Sequence, residues 1–480
     1  MSSIQLFTDL RDKRPKLGAA SQQPSLKAEL ALIAEQRKQT LDRILLNNPT
    51  TANTVTYHVG AEESFQAMLA TLQRAKKSFY IETYIWRNDH TGRQMAEALV
   101  AKVRAAKASG SLFDAKVLID ETGLRYGEGN GTADHQLMDY MRKNGVAVQV
   151  FNPKLFVPSY IDLSAKRFMP VTHRKVYIAD GERYLIGGRN VGDEYFRSTY
   201  QLKWGDPSTT VPSYHDILMT VEGAETARIL KEFFKNWKNA GGTVPAKLPP
   251  LPLSKTGTTR VQTFVTDPVH KGTDIKRIHL KAIANARREI FLITPYLSDD
   301  DLIKALGDAK RRNAELRRSL FSRAKTASER QNIEKLVPQL KVKVLIPLKG
   351  EADGGWDYQI TMESARQLLK LGIEVRASTG GTLGGSYSKR FSHFKCFLFD
   401  GEVLSIGSAN GDTRTYHNNH EIVNLIADSP QAKKIEEFQK KVARPDWESA
   451  TPIDLDWIKR NSTLKERVLR RIYEWTDLFH

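Results

Sequence analysis

The sequence predicts an α/β protein in which one ancestral unit is used twice. Two observations carry that expectation. The first is a repeat: His173-Arg174-Lys175, Asp180 and Gly187-Gly188-Arg189-Asn190 recur at the same spacing as His393-Phe394-Lys395, Asp400 and Gly407-Ser408-Ala409-Asn410. Each copy is followed by a carboxylate that opens an apolar run, Tyr214-His215-Asp216-Ile217-Leu218 and Asn419-His420-Glu421-Ile422-Val423. The intervals differ because the first half carries extra residues at 202–213, an insertion of the kind loops tolerate. The second observation is that strand-like and helix-like apolar periods alternate in the same order in both halves, the pattern of a parallel sheet with connecting helices.

The elements follow in chain order from these periods. Residues 1–51 form an N-terminal helical extension in which 27–46 reads as an amphipathic helix. The first half, 52–238, opens with strand 54–58, helix 62–76, strand 79–86 and helix 91–108, followed by strand 115–119, helix 133–143 and strand 146–151. Strands 175–179 and 184–186 flank Asp180-Gly181, a hairpin turn signal. Helix 224–237 closes the half, with Ile229, Leu230, Phe233 and Trp237 at helical spacing. Residues 239–259 hold Gly241-Gly242, Pro245, Pro249-Pro250 and Pro252 with little periodicity, which marks a linker.

The second half, 260–445, repeats the order with strand 261–265, helix 275–287, strand 290–294, helix 299–306, strand 342–346, helix 361–371 and strand 374–376. It carries a basic helical insertion at 307–340, densest in charge over 310–335. A C-terminal helical extension, 446–480, ends in a helix at 464–475 that mixes Val468, Leu469, Ile472, Tyr473 and Trp475 with arginines. Isolated helices of this length are marginal in water, so the first and last helices are expected to pack on the body. The alternative is an interfacial helix on an anionic bilayer, which aromatic and basic faces suit.

A chain of 480 residues is too long for one ordinary core and fits two fused halves. Its net charge of +18 points to an anionic partner: nucleic acid, an acidic membrane surface or a phosphorylated small molecule. The single cysteine, Cys396, excludes an intrachain disulfide and a Cys-rich zinc site and suits a reducing compartment. The first residues lack the basic start and apolar core of a cleavable signal, and no apolar run is long enough to span a bilayer. The expected location is cytoplasmic or peripheral to a membrane, with delivery into another cell by a signal-independent route left open.

The chemistry lies in the repeat. Residues two apart on a strand share a face, so His173 with Lys175 and His393 with Lys395 form same-side pairs. Gly187-Gly188 and Gly407-Ser408 permit close backbone approach, and Asn190, Asn410 and Ser408 are expected to bind phosphoryl oxygens. Together the copies form a symmetric phosphodiester clamp. One histidine attacks phosphorus to give a phosphohistidine, and the other protonates the leaving alcohol and later takes a proton from the acceptor. The lysines and asparagines stabilise transition-state charge, Asp216 and Glu421 orient the imidazoles, and neither metal nor cofactor is needed. Asp180 and Asp400 complete the catalytic set, although each precedes a glycine at a predicted turn, where a structural role is the expectation.

Other features have plainer readings. Cys396 is expected to be a small buried packer, and His58, His90, His135 and His279, which match no repeat, to be surface or core histidines. Arg311-Arg312 and Arg317-Arg318 read as a solvated helix face, with attraction to an acidic surface as the alternative. The Gly-rich stretch 380–388 fits either a mobile lid or a plain turn.

These residues resemble the phospholipase D superfamily, whose HxKxxxxD signature followed by G-G/S-x-N occurs here twice. Within it the chain is most similar to bacterial cardiolipin synthases, through 187–195, Thr294-Pro295-Tyr296 and 407–414. The resemblance implies two α/β/α halves with mixed, largely parallel sheets, related by a pseudo-twofold axis, with one metal-free site at their interface. It also implies phosphatidyl transfer from a membrane phospholipid to water or an alcohol, with His173 as nucleophile and His393 as general acid and base. A nuclease acting on nucleic acid is the second reading, and a catalytically dead scaffold binding anionic lipid or nucleic acid is the third. The chain departs from many cardiolipin synthases in showing no N-terminal membrane helices, in its basic insertion and in its C-terminal segment.

Overall fold

The computed structural model describes residues 24–125, 128–152, 170–201, 210–246, 257–348, 355–378, 382–383, 386–387, 391–429, 432–464 and 466. The first half supplies strands β1 (Thr50–His58), β2 (Ser78–Thr83), β3 (Asp114–Asp120), β4 (Ala147–Phe151), β5 (Val176–Ala179), β6 (Arg183–Gly187), the short ribbon β7 (Thr199–Gln201) with β8 (Thr210–Pro212), and β9 (Leu218–Gly223). The second supplies β10 (Thr259–Asp267), β11 (Gly272–Thr273), β12 (Glu289–Ile293), β13 (Lys341–Pro347), β14 (Glu374–Ser378), the ribbon β15 (Thr382–Leu383) with β16 (Ser386–Tyr387), then β17 (Cys396–Phe399), β18 (Val403–Gly407), β19 (Glu421–Ala427) and β20 (Thr451–Pro452).

One sixteen-stranded sheet joins the halves in the order β20-β14-β13-β12-β17-β18-β19-β10-β1-β9-β6-β5-β2-β3-β4, with β11 on the side of β10. Read outward from the β1–β10 seam, the two halves have the same strand sequence, which is the repeat expressed as topology. The seam is antiparallel, with Thr50 opposite Val261 and Asn53 opposite Thr259. Parallel ladders occupy β2-β3-β4 and β12-β13-β14, where helices such as His90–Ala108 and Asp300–Arg323 intervene between strands. The strands between those trios are joined by hairpins and returns and run antiparallel. Parallel neighbours need a crossover and antiparallel ones do not, so the connections dictate this mixture.

A core under the seam mixes both halves: Tyr57, Ile178 and Phe233 of the first lie in one cluster with Leu398, Ile426 and Phe438 of the second. Helix Thr226–Asn239 contributes Ile229, Leu230, Phe233 and Trp237 to it, as their spacing predicts. The proline-rich linker falls between that helix and β10, and its residues 247–256 lie outside the described residues, as do 202–209 of the first-half insertion. The glycine-rich 380–388 stretch is described only at the paired strands β15 and β16.

The N-terminal extension is two helices, Leu26–Gln36 and Leu41–Leu45, where the period predicts one. The break arises because the two serve different cores. Leu41 and Leu45 enter the second-half core, and the Leu41 N–H donates to Glu402 Oε2 at 2.9 Å. Leu30 instead joins Leu320, Ala324, Ile333 and Val337 in a small separate core.

The basic insertion is not a separate element at its start. Helix Asp300–Arg323 runs without interruption from the sheet, where Leu302, Ile303, Leu306 and Ala309 are buried, into a hairpin completed by Ala327–Leu336. Asn313 bonds Leu340 N–H and Pro338 O at 2.9 and 3.0 Å, so the helix passes the start of β13 at its midpoint. Beyond it, Arg317 pairs with Glu334 and Arg323 with Glu29. This end of the sheet is opposite the one at which His393 enters, because β17 is antiparallel to β12 and β12 parallel to β13. The hairpin's charge is therefore remote from the site.

The predicted helix 464–475 lies outside the described residues apart from 464 and 466. Ahead of it, helices Lys434–Phe438, Arg444–Ser449 and Leu455–Arg460 pack on the body, with Trp447 stacked against the Arg376 guanidinium 4.4 Å from its ring centre. No helix among the described residues is long and apolar enough to cross a membrane.

His279 is a core histidine: Nδ1 meets Tyr416 Oη and Nε2 meets Ser405 Oγ, each at 2.9 Å. Burial lowers its pKa to about 3. The unfolded chain then binds the proton first between about pH 6.5 and 3, so His279 erodes stability as pH falls through that window. Urea unfolding of His279→Gln should show a pH slope shallower by up to about 1.4 kcal/mol per pH unit there. An unchanged slope would contradict the assignment.

Candidate active site

The segment ahead of each motif pairs with the segment ahead of the other half's carboxylate. His173 N–H donates to His420 O at 3.0 Å and His420 N–H to Val171 O at 2.8 Å. In the same way His393 N–H donates to His215 O and His215 N–H to Phe391 O, both at 2.8 Å. These two short ladders set the geometry of the site. They carry Glu421 to His173 and Asp216 to His393, each carboxylate crossing to the opposite half.

His173 Nδ1 lies 2.8 Å from Glu421 Oε1, and His393 Nδ1 lies 2.7 Å from Asp216 Oδ2. A carboxylate only accepts, so Nδ1 holds the proton and each neutral ring presents an unprotonated Nε2. Burial, the largest influence, brings the His173 pKa down to about 4 and that of His393 to about 3, with the neighbouring lysines adding to the effect and the carboxylates opposing it. Burial pushes the Asp216 and Glu421 carboxyls up, but the paired imidazoles and nearby lysines outweigh it and leave both below their ordinary values.

Lys175 and Lys395 are fully buried beside the rings, each ammonium donating to the carbonyl of its own histidine, at 2.5 and 2.7 Å. Burial lowers both, Lys395 to about 8. The charge of Lys395 adds to the lowering at Lys175.

The halves differ in how the carboxylates are seated. A Cβ on Gly188 would lie 2.3 Å from Asp216 Oδ2, so only glycine admits the short carboxylate there. At the matching position Ser408 donates through Oγ to Glu421 Oε2 at 2.5 Å, and Thr415 and Asn419 add longer contacts at 3.4 and 3.3 Å. The expectation that Ser408 binds phosphate is corrected: its hydroxyl is committed to the longer carboxylate. Asn190 is seated by its own half, its Oδ1 accepting from Ile85 N–H at 3.1 Å and its Nδ2 donating to Tyr195 Oη at 2.9 Å. Asn410 is 5 % exposed and its Oδ1 has no hydrogen-bond partner among the described residues.

Asp180 and Asp400 are the second correction. They sit past the far ends of β5 and β17, away from the histidines, with φ of 54° and 55°. Asp180 accepts the N–H groups of Lys76, Lys77 and Ser78, and Asp400 those of Arg287, Arg288 and Glu289, at 2.7 to 3.0 Å. Each ties the hairpin turn to the start of β2 or β12. Their place is structural, as the turn chemistry indicates.

Several residues at the site carry no signal in the repeat. Tyr84 stands edge-on to His173 at 5.2 Å, while Tyr195, Tyr214 and Phe391 surround His393 at 5.6 to 5.8 Å. Arg189, fully buried, donates to the carbonyls of Tyr195, Tyr214, Asp216 and Val59 and so braces the loop that bears Asp216. From the C-terminal extension Asp446 reaches His215 Nε2 at 3.0 Å. Loop aromatics and a distant aspartate follow no period, so only tertiary contact reveals them.

Asp400→Ala leaves three part-buried N–H groups without their acceptor and should cost about 2 kcal/mol in urea unfolding. An unshifted midpoint would remove the turn role.

The family described as "Cardiolipin synthase, PLD-like domain" matches residues 68–211 and 279–442. The chain is 26% identical over 407 residues to the major cardiolipin synthase ClsA of Bacillus subtilis, covering 83% of this chain and 71% of that protein. It is also 26% identical over 421 residues to cardiolipin synthase 2 of Bacillus anthracis, covering 86% and 68%. Among solved structures, the phosphatidylserine synthase of Haemophilus influenzae shares the fold with a TM-score of 0.59 at 12% identity, over 91% of this chain and 96% of that one. With both motif-bearing halves matched, the chain belongs to the cardiolipin synthase, PLD-like domain family.

Proposed function

We propose that the protein transfers phosphatidyl groups of membrane glycerophospholipids to an alcohol or to water through a phosphohistidine, making cardiolipin, phosphatidic acid or both. The observation that carries this reading is the pair of crossed imidazole–carboxylate dyads with two buried lysines whose charges act on both rings. The relatives' names, all cardiolipin synthases, support a phospholipid as the phosphodiester. The net charge of +18 suits an anionic bilayer surface.

The phosphodiester anion binds between Lys175 and Lys395, with the amides of Asn190 and Asn410 in reach of its nonbridging oxygens. His173 Nε2 attacks phosphorus; a P–N bond forms as the P–O bond to the leaving alcohol breaks, and His393 gives that oxygen a proton. The acceptor then returns its proton to His393 while its oxygen attacks phosphorus and the P–N bond breaks. Glu421 and Asp216 stabilise the imidazolium form of each ring in turn. Before substrate binds both rings are neutral at pH 7, which arms the nucleophile. The substrate's negative charge beside His393 raises its pKa and so supplies the acid.

The test is incubation in EDTA with vesicles of phosphatidylglycerol, phosphatidylethanolamine and phosphatidylcholine, with products followed by lipid mass spectrometry. Wild type should form cardiolipin or phosphatidic acid, and His173→Ala and His393→Ala should lose at least about 1,000-fold in rate. Wild-type vesicles without product, or equal product from the variants, would overturn the reading.

A further inference from the structure

Thr172, the residue before His173, is gripped by two carboxylates buried in the first-half sheet. Its N–H donates to Asp120 Oδ2 at 2.8 Å and its hydroxyl to Glu82 Oε1 at 2.5 Å. Asn236 Nδ2 donates to the same Glu82 oxygen at 2.7 Å, and Thr122 N–H takes the other Asp120 oxygen at 2.8 Å. Glu82 is 1 % exposed and Asp120 0 %. Burial pushes both carboxyls up, Asp120 to about 7; Arg174 near Glu82 and the Thr172 donors at both act against that shift.

Among the described residues the second half has no counterpart. Glu82 lies opposite Val176 and Ile293 opposite Cys396, the residues that follow Lys175 and Lys395, so Ile293 takes the place of Glu82. On the next strand Leu118 lies opposite Glu82 and Leu345 opposite Ile293, so Pro347 takes the place of Asp120. A buried carboxylate in a strand is costly unless its lone pairs are filled. The fold itself has no need of one, since Ile293 and Pro347 serve the same positions.

We infer that Glu82 and Asp120 are positioning residues for the covalent step: they fix the Thr172–His173 peptide so that His173 Nε2 stays in line with phosphorus. His393 lacks this grip and keeps the small freedom that exchanging a proton with two successive oxygens demands. An in-line nucleophile tolerates little displacement, and misplacement by about 1 Å can cost about 100-fold in rate. The inference rests on the phosphohistidine reading above.

The experiment compares Glu82→Ile, which installs the second-half residue, Asp120→Ala, and Glu82→Gln, which keeps an acceptor oxygen for Thr172 and Asn236. On phosphatidylglycerol vesicles the first two should lose about 100-fold in kcat with KM unchanged, and rapid quench should show slower phosphatidyl-His173 formation. Glu82→Gln should stay within about threefold of wild type, since its oxygen still accepts. Wild-type kcat in Glu82→Ile, or an equal loss in Glu82→Gln, overturns the inference. Amide hydrogen exchange supplies a readout independent of turnover. Thr172 and His173 should exchange about tenfold faster in Glu82→Ile and Asp120→Ala, with Ser392 and His393 unchanged. Equal acceleration at all four, or none, overturns it too. If wild type turns over no phospholipid, the functional reading fails and the exchange pattern alone decides the grip.

Discussion

The exchange of carboxylates across the pseudo-twofold seam is the constraint on which the site depends. Neither half holds its own histidine: Glu421 serves His173 and Asp216 serves His393. The arrangement requires the two short ladders at Thr172–His420 and Ser392–His215, and those require a sheet continuous through β1 and β10. Each dyad is buried, so an ion or imidazole deprived of its partner would be left unpaired in a medium of low dielectric. The site and the joining of the halves are thus one structural event.

Symmetry places the two lysines in matching positions, and asymmetry gives the two histidines different surroundings. Two buried ammonium groups, both with lowered affinity for their protons, gain most from an anion placed between them. Around that shared centre the details diverge. Gly188 admits a short carboxylate where Ser408 braces a long one, and among the described residues one aromatic faces His173 where three surround His393. Glu82 and Asp120, which hold the residue before His173, have apolar matches in the second half. A duplicated unit begins with equal histidines, and such substitutions give the two different surroundings.

The segments outside the repeat divide by position. The basic hairpin stands at the end of the sheet away from His393, with its own core and several of its arginines paired to acids. Its charge contributes to the overall field rather than to the reacting centre. The C-terminal extension reaches inward, where Asp446 holds His215 one residue from Asp216.

The α/β class, the duplication and the histidine and lysine pairs were determined by sequence alone, because strand and helix periods are local and a repeated spacing survives in one dimension. The turn role of Asp180 and Asp400 was equally legible, since a residue before glycine at a hairpin has a local reason to be there. Glu82 was visible only as a charge inside an apolar strand, with nothing to say what it held. Tertiary structure alone decided which carboxylate meets which histidine, that Ser408 turns to Glu421, and that Asp446 and the site aromatics belong there at all. Those facts depend on contacts between residues far apart in the chain, set by sheet register and by the packing of one half on the other, and no spacing along the sequence encodes that distance.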